Sequence, residues 1–287
     1  MKYTFSGHES FQCRHLWLKK GFDHIKKGKS FSDMDSVLEL GVGKNMVTSI
    51  RFWMKAFNII DPNTDQLTQF ALKLFSDDTG WDPFLEDEAS IWLLHYQLIK
   101  TGYATTFPLI FNELRKEKVE FTKENYLAFI KRKAEENKFQ ISRNTLNDDF
   151  DILIKTYIKS DTHTRDKEDT FSGILCELGL IKTIGRGKNE YYVVENTEKD
   201  EIPEEVILFT ILDNEKNNAS ISFHTIEQEP NSPGVIFALN RSGLLNKIES
   251  ISKKYKEVVF KDDAGIKEIQ IKKKLNPLSV LEKYYEN

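Results

Sequence analysis

The apolar and polar positions of this chain follow, for most of its length, the 3.6-residue period of amphipathic helices. The clearest case starts near Lys44 and runs to about Asn58. There Met46, Ile50, Trp53 and Phe57 fall at i, i+4, i+7 and i+11, which is one face of a helix. Lys44, Thr48, Arg51 and Lys55 repeat that spacing two residues earlier, roughly 200° away at about 100° per residue. The pattern predicts a helix with an apolar back and a basic, hydrogen-bonding front. A shorter helix over Asp33 to Leu40, capped by Ser32 or Asp33, precedes it, and Gly41-Val42-Gly43 separates the two. Leu67 to Phe75 reads as a short helix or strand. Farther on, Pro83 fits the first turn of a helix capped by Asp82, with Glu86 at the capping-box position. That helix carries Glu88 and His95 on one face.

The second half alternates helices with short hairpins. Lys123 to Asn137 reads as a helix, and a second follows Ser142 through Tyr157 with Leu146, Phe150, Leu153 and Tyr157 on its apolar face. Ser172 to Leu178, after Phe171, is a short helix ended by Gly179. Leu180 to Val194 is a β-hairpin turning at Gly185-Arg186-Gly187-Lys188-Asn189. A polar, acidic stretch from Glu195 to Glu205, containing Pro203, reads as a linker entering a helix. Helices are then expected over Glu204 to Leu212, Ser222 to Gln228, Ser232 to Ala238 and Leu244 to Tyr255. A hairpin follows, Glu257 to Phe260 and Ile266 to Ile271, turning at Asp262-Asp263-Ala264-Gly265, and Leu275 to Asn287 ends as an amphipathic helix. The expected fold is mainly α with small β-hairpins (α+β), built from helix-turn-helix and winged-helix-like units. Its expected parts are an N-terminal helical domain (1–120), a winged-helix-like middle domain (121–195) and a C-terminal winged-helix-like domain (196–287). No fixed-period repeat is visible.

Charge changes this picture only when resolved along the chain. The total over 287 residues is −4, which excludes a histone-like polycation. Residues 1–60, however, hold ten Lys/Arg against five Asp/Glu, and residues 61–100 hold two against eight. A basic block of +5 is thus followed by an acidic block of −6. A basic block suits a polyanion and an acidic one suits a cation site; each equally suits a solvated face. Two cysteines, Cys13 and Cys176, make no disulfide framework and fit a reducing compartment. With no long apolar run and no signal-peptide order at Met1 to Phe5, the expected location is the cytoplasm, without membrane association.

The chemistry follows from these elements. A short helix, a glycine turn and a helix with a basic front have the layout of a helix-turn-helix. Thr48 and Arg51 would reach base edges or phosphates, and Lys44 and Lys55 the backbone of double-stranded DNA. The other reading is an ordinary helical hairpin with a solvated face. A helix followed by a basic-tipped hairpin resembles a wing, whose Arg186 and Lys188 would touch phosphate; the alternative is a soluble charged turn. Phe5-Ser6-Gly7-His8-Glu9-Ser10-Phe11-Gln12-Cys13-Arg14-His15 and Asp82-Pro83-Phe84-Leu85-Glu86-Asp87-Glu88 hold the remaining reactive groups. Should they meet, Glu9, Asp82 and Glu86 would ligate Mg²⁺, with His8 and Asp87 completing a phosphodiester-cleaving site. Helix capping by Asp82 and a buried, satisfied His8 explain the same residues without a metal.

Several strings together resemble a known family. They are Phe5-Ser6-Gly7-His8-Glu9 with Arg14 and Trp17-Leu18-Lys19-Lys20-Gly21; Leu40-Gly41-Val42-Gly43-Lys44-Asn45-Met46-Val47 with Arg51 and Trp53; Asp82 to Asp87 with Trp92-Leu93-Leu94-His95; and Thr145-Leu146 through Thr156-Tyr157. The chain resembles the bacterial domain-of-unknown-function family that includes SspB, encoded beside single-stranded DNA phosphorothioation enzymes in defence islands. The matching strings span about residues 5–182. The resemblance implies a component acting on DNA during sulfur modification and, for SspB, a strand-nicking role that opens the backbone to sulfur insertion. One departure is Asn147-Asp148-Asp149, where family members often carry basic residues. The implied partners are sulfur-transfer proteins of the same system, a cysteine desulfurase and an adenylyl-sulfate-reductase-like protein, and a homodimer is compatible with the reading. Two functions stay open: a DNA-nicking endonuclease using Mg²⁺, and a non-catalytic DNA-binding adaptor.

Overall fold

The computed structural model describes residues 3–159, 172–214 and 219–286. About half of the chain is helical, with small antiparallel sheets. The chain divides into two compact units: residues 1–87 with 97–194, and residues 88–96 with 195–287. Apart from residues 88–96 and 195, the segments read over 1–120 and 121–195 fall in the first of these.

The first unit opens with α1 (Trp17–Lys26), α2 (Ser36–Leu40), α3 (Lys44–Ala56) and α4 (Gln69–Phe75). Gly41 ends α2 in the left-handed region (φ 65°), a conformation that favours glycine, and Gly43 leads into α3. The short helix begins three residues later than Asp33, because Asp33 instead accepts the Ser30 N–H (2.8 Å) in a turn. Helix α3 is more deeply embedded than an amphipathic surface helix. Val47, Ser49, Ile50 and every residue from Phe52 to Ala56 are buried, whereas Met46 is only half-buried. Helix α5 (Glu88–Thr101) starts five residues after the expected Pro83. Leu85 adopts φ 57°, so the Asp82-Pro83 turn closes on itself rather than continuing as a helix. Its residues 88–96 belong to the second unit.

Next come α6 (Thr106–Leu109), a π-turn (Ile110–Leu114) and α7 (Arg115–Glu117). They lead to β1 (Glu120–Phe121), α8 (Lys123–Asn137), α9 (Arg143–Tyr157), β2 (Lys182–Ile184) and β3 (Tyr191–Val193). Thr122 and Asn125 close a reciprocal capping box on α8, and the Ser142 hydroxyl accepts the Thr145 N–H to start α9. Leu146, Phe150, Leu153 and Tyr157 are all buried along α9. The helix expected over 172–178 is a single 3₁₀ turn, Cys176–Leu178, ended by Gly179 at φ 55°; Phe171 lies outside the described residues. The strands pair antiparallel in the order β1-β3-β2.

The second unit comprises the start of α5, α10 (Glu204–Leu212), β4 (Ser220–Ser222), α11 (Phe223–Gln228), α12 (Pro233–Ile236), α13 (Arg241–Lys254), β5 (Val258–Asp263), β6 (Ile266–Ile271) and α14 (Pro277–Tyr285). Its core is strongly apolar: residues 205–211 of α10 are all buried, and Val280 and Leu281 of α14 are buried as well. Within this unit, the buried His95 places Nε2 2.9 Å from the Ile236 carbonyl oxygen, and Trp92 packs edge-on against Phe237. The β5–β6 turn uses Ala264 and Gly265 at φ 51° and 84°, as a two-residue hairpin loop requires. The sheet order is β4-β6-β5. Each unit therefore carries the same succession of strand, helices and hairpin, with the first strand paired to the last.

Candidate functional site

The basic front predicted for α3 is only partly a free surface. Lys44 and Thr48 are exposed at its N-terminal end, and the Thr48 hydroxyl donates back to the Lys44 carbonyl (3.4 Å). Arg51 is exposed but paired: its Nη2 lies 2.6 Å from Asp65 Oδ2. Lys55 is buried, donating to the Pro62 carbonyl (2.8 Å) and lying 2.8 Å from Asp65 Oδ1. Desolvation pushes the Asp65 carboxyl up, but the hydrogen bonds and charges of Lys55 and Arg51 outweigh it and hold the group below its ordinary range. Lys19 bridges Asp23 (2.6 Å) and Asp77 (2.5 Å), and Lys26 also reaches Asp77 (3.4 Å). Carboxylates of the acidic block thus neutralise part of the basic block. Arg186 is exposed at the β2–β3 turn, and the Lys188 side chain lies outside what the structure describes.

The Phe5 to His15 segment packs on the other side of α3. Trp53 Nε1 donates to the Phe11 carbonyl (2.9 Å), and Ser49 Oγ lies 3.5 Å from the same oxygen. Gly7 lies so close to Phe52 that a Cβ there would sit 2.5 Å from the ring. His8 is buried, stacked on Trp53 and edge-on to Phe52. Its Nδ1 accepts the Ser10 N–H (3.2 Å), so Nε2 carries the hydrogen donated to Asp149 Oδ1 (2.7 Å). Asp149 Oδ1 also accepts the Ser6 N–H (2.8 Å), and Oδ2 accepts the Thr106 hydroxyl (3.0 Å). Thr106 Oγ1 in turn receives the Tyr126 hydroxyl (2.9 Å). Burial, reinforced by the nearby Asp149 charge, pushes the Tyr126 hydroxyl up. Both His8 nitrogens are therefore committed within a closed, buried network that ties the N-terminal loop to α6, α8 and α9.

The carboxylates do not assemble around His8. Glu9 is exposed at φ 49°, on the solvent side of the loop. Asp82 is buried, and its two oxygens accept the N–H groups of Glu86 and Asp87 (2.9 Å each). It caps a turn, not the helix read from the sequence. Glu86 is exposed, and Asp87 is half-buried. The two predicted segments do meet, but through His15, whose Nε2 lies 3.3 Å from the Leu85 carbonyl oxygen. Among the described residues there is no group of three His, Cys, Asp or Glu placed to hold a metal ion. The structure thus does not bring Glu9, Asp82 and Glu86 together as one cluster among the described residues.

Asp149 was not legible as the partner of His8, nor Thr106 and Tyr126 as members of the same network. Asp149 precedes Phe150 on the buried side of α9, and a carboxylate at that position was the available signal. Its neighbour Asp148, by contrast, is exposed.

No helix among the described residues is long and apolar enough to cross a membrane. Comparison with curated proteins finds no match. Among solved structures, a magnesium ion-bound SspB crystal structure superposes with a TM-score of 0.86 at 26% identity, over 100% of this chain and 89% of that one. A second SspB crystal structure gives 0.85 at 25% identity over the same shares. The strings that carried the resemblance include a packed nucleus, with Gly7 against Phe52 and His8 on Trp53 and Asp149. The model of the DUF4007 family, proteins of unknown function, matches residues 5–285, and this chain belongs to that family.

Proposed function

We propose that this chain is the DNA-binding component of a bacterial DNA phosphorothioation system. The observation that carries the reading is the likeness to SspB over the whole of this chain. Local geometry supports the contact with DNA. The α2–Gly41–α3 arrangement presents Lys44 and Thr48 to solvent as a helix-turn-helix would, and Arg186 is exposed on a hairpin. The strand–helix–hairpin succession of both units supports winged-helix-like modules, and sulfur-transfer proteins of the same system are the partners such an adaptor would recruit. A gel-shift titration of duplex DNA across salt tests this. Binding is expected to weaken with salt and to fall further in a K44E/R186E double variant; salt-independent binding, or binding unchanged in that variant, refutes the assigned contacts.

A second reading, strand nicking, is favoured by one observation: the related SspB structure holds a magnesium ion. Conversion of supercoiled plasmid to open circles by the purified protein with Mg²⁺, abolished by EDTA, would support it. No nicking would leave the adaptor, and nicking unaffected by E9A and D82A would move the chemistry away from those residues.

A further inference from the structure

In the second unit, one surface carries an excess of cations, most of them outside any ion pair, although Glu205, Glu257 and Glu286 line a pocket with Lys254 and Lys256. The Lys272 N–H donates to the Glu257 carbonyl (2.8 Å), extending the β5–β6 ladder beyond Val258 and Ile271. This pairing makes the run Lys272-Lys273-Lys274 leave the sheet beside Lys256, directly after the last turn of α13 with Lys253 and Lys254. Residues 253–257 and 272–274 hold six lysines and one acid, Glu257. Lys254 is engaged, lying 2.5 Å from the buried Glu205 carboxylate. Lys253, Lys256, Lys272, Lys273 and Lys274 are all exposed, and among the described residues none has an ion-pair partner. The first unit behaves differently where Lys19, Lys26, Arg51, Lys55, Arg132 and Lys133 each face a carboxylate.

We propose that Lys253, Lys256, Lys272, Lys273 and Lys274 form a sequence-independent docking surface for the phosphate backbone of double-stranded DNA. The proposal rests on the DNA-binding reading above and assigns that binding a surface in the C-terminal unit. A polyphosphate fits better than the alternatives. Protein interfaces are depleted in lysine and need an apolar centre. Insertion into a membrane needs apolar side chains beside the cations. In this unit the exposed large apolar side chain among the described residues is Ile266, at the opposite end of the hairpin. The tip there carries Asp262 and Asp263, so the free cations lie at the base of the hairpin, away from its turn. Lysines act as flexible point charges, which suits contact with phosphate and carries no base recognition.

The test is a salt titration of duplex binding by the full chain and by K272A/K273A/K274A. Five neutralised phosphates contribute about −4.5 to the slope of log K against log salt, a roughly 500-fold loss between 50 and 200 mM. Removing three lysines should make the slope less negative by about 2.7, equally on two unrelated duplexes. An unchanged thermal melt would show that the variant folds. Wild-type binding with identical affinity and slope in the variant overturns the surface and leaves the DNA reading standing. Absence of wild-type binding at low salt overturns both. Binding of phosphatidylserine vesicles that the variant loses, with DNA binding intact, also overturns the proposal.

Discussion

Asp149 is the residue whose removal should be most informative about the first unit. In D149A the buried His8 Nε2–H and the buried Thr106 hydroxyl both lose their acceptor, while the Ser6 N–H lies where water can replace the carboxylate. Each orphaned buried donor costs about 1–3 kcal/mol. Thr106 and Tyr126 cannot both donate into the hydrogen bond they share, so reorganisation recovers only part of the loss. A total of about 3–5 kcal/mol is expected, the range seen when one partner of a buried pair is removed. For a unit of this size that is a fall in Tm of about 6–20 °C. D149N keeps one acceptor but turns an amide toward a donor, so about 1–3 kcal/mol is expected there. The assay is urea unfolding followed by tryptophan fluorescence, since the Trp53 ring stacks on His8. H8A and the H8A/D149A double variant complete a cycle. The double variant should lose less than the sum of the singles by more than about 0.5 kcal/mol. A D149A loss below about 1 kcal/mol, or strict additivity, would refute a closed His8–Asp149 network.

Four further outcomes follow from contacts and burial elsewhere in the chain. D65A leaves the buried Lys55 with only the Pro62 carbonyl among its described partners and should cost about 2–3 kcal/mol by chemical denaturation. Because Asp65 is held below its ordinary range when folded, it binds a proton more readily once unfolded; its contribution is present above about pH 4 and is lost as pH falls through the lower folded value. Tm against pH should therefore be flatter below pH 4 in D65N than in the wild type. G7A drives a methyl into the Phe52 ring and should cost about 1–3 kcal/mol in a thermal melt. Burial pushes the Cys13 thiol well up and the Cys176 thiol up to about 11, so Ellman's reagent at neutral pH should react slowly until guanidinium unfolds the chain.

Elements with strong local signals were legible in the sequence. Helices α8 and α10 occupy the spans read for them because a threonine capping box opens the first and Pro203 precedes the second. The α9 apolar stripe and the Asp262 to Gly265 turn are equally local. Two strands were missed, β1 with two residues and β4 with three, since neither is long enough to show a period-2 pattern. Without them the shared strand order of the two units could not be seen, and no sequence repeat marks it. The Asp82 helix start failed for another reason. Asp-Pro is good helix-start chemistry, but Glu86 falls four residues after Asp82 where a capping box needs three, and Leu85 in the left-handed region turns the carboxylate onto loop N–H groups instead. The His8 partners were invisible because they lie about 100 to 140 residues away along the chain.

The same distinction between local signals and long-range pairing explains the charge pattern. Counting gave a basic block and an acidic block, but not who faces whom. Lys19 and Lys26 meet Asp77, and Arg51 and Lys55 meet Asp65, so a stripe that looks cationic along α3 is largely internal ion pairing. The two members of that stripe differ in what a phosphate could take from them. Arg51 is exposed, and surface ion pairs are worth only about 0–1 kcal/mol, so exchanging Asp65 for a phosphate costs little. Lys55 would have to leave burial, the Pro62 carbonyl and Asp65 together. Its charge is structural, while Lys44 and, at the base of the C-terminal hairpin, Lys253, Lys256, Lys272, Lys273 and Lys274 have no ion pair to give up among the described residues. The proposed phosphate-binding face therefore rests on cations that folding leaves without an ion pair among the described residues, a condition that the dense Lys272 to Lys274 run meets and Lys55 does not.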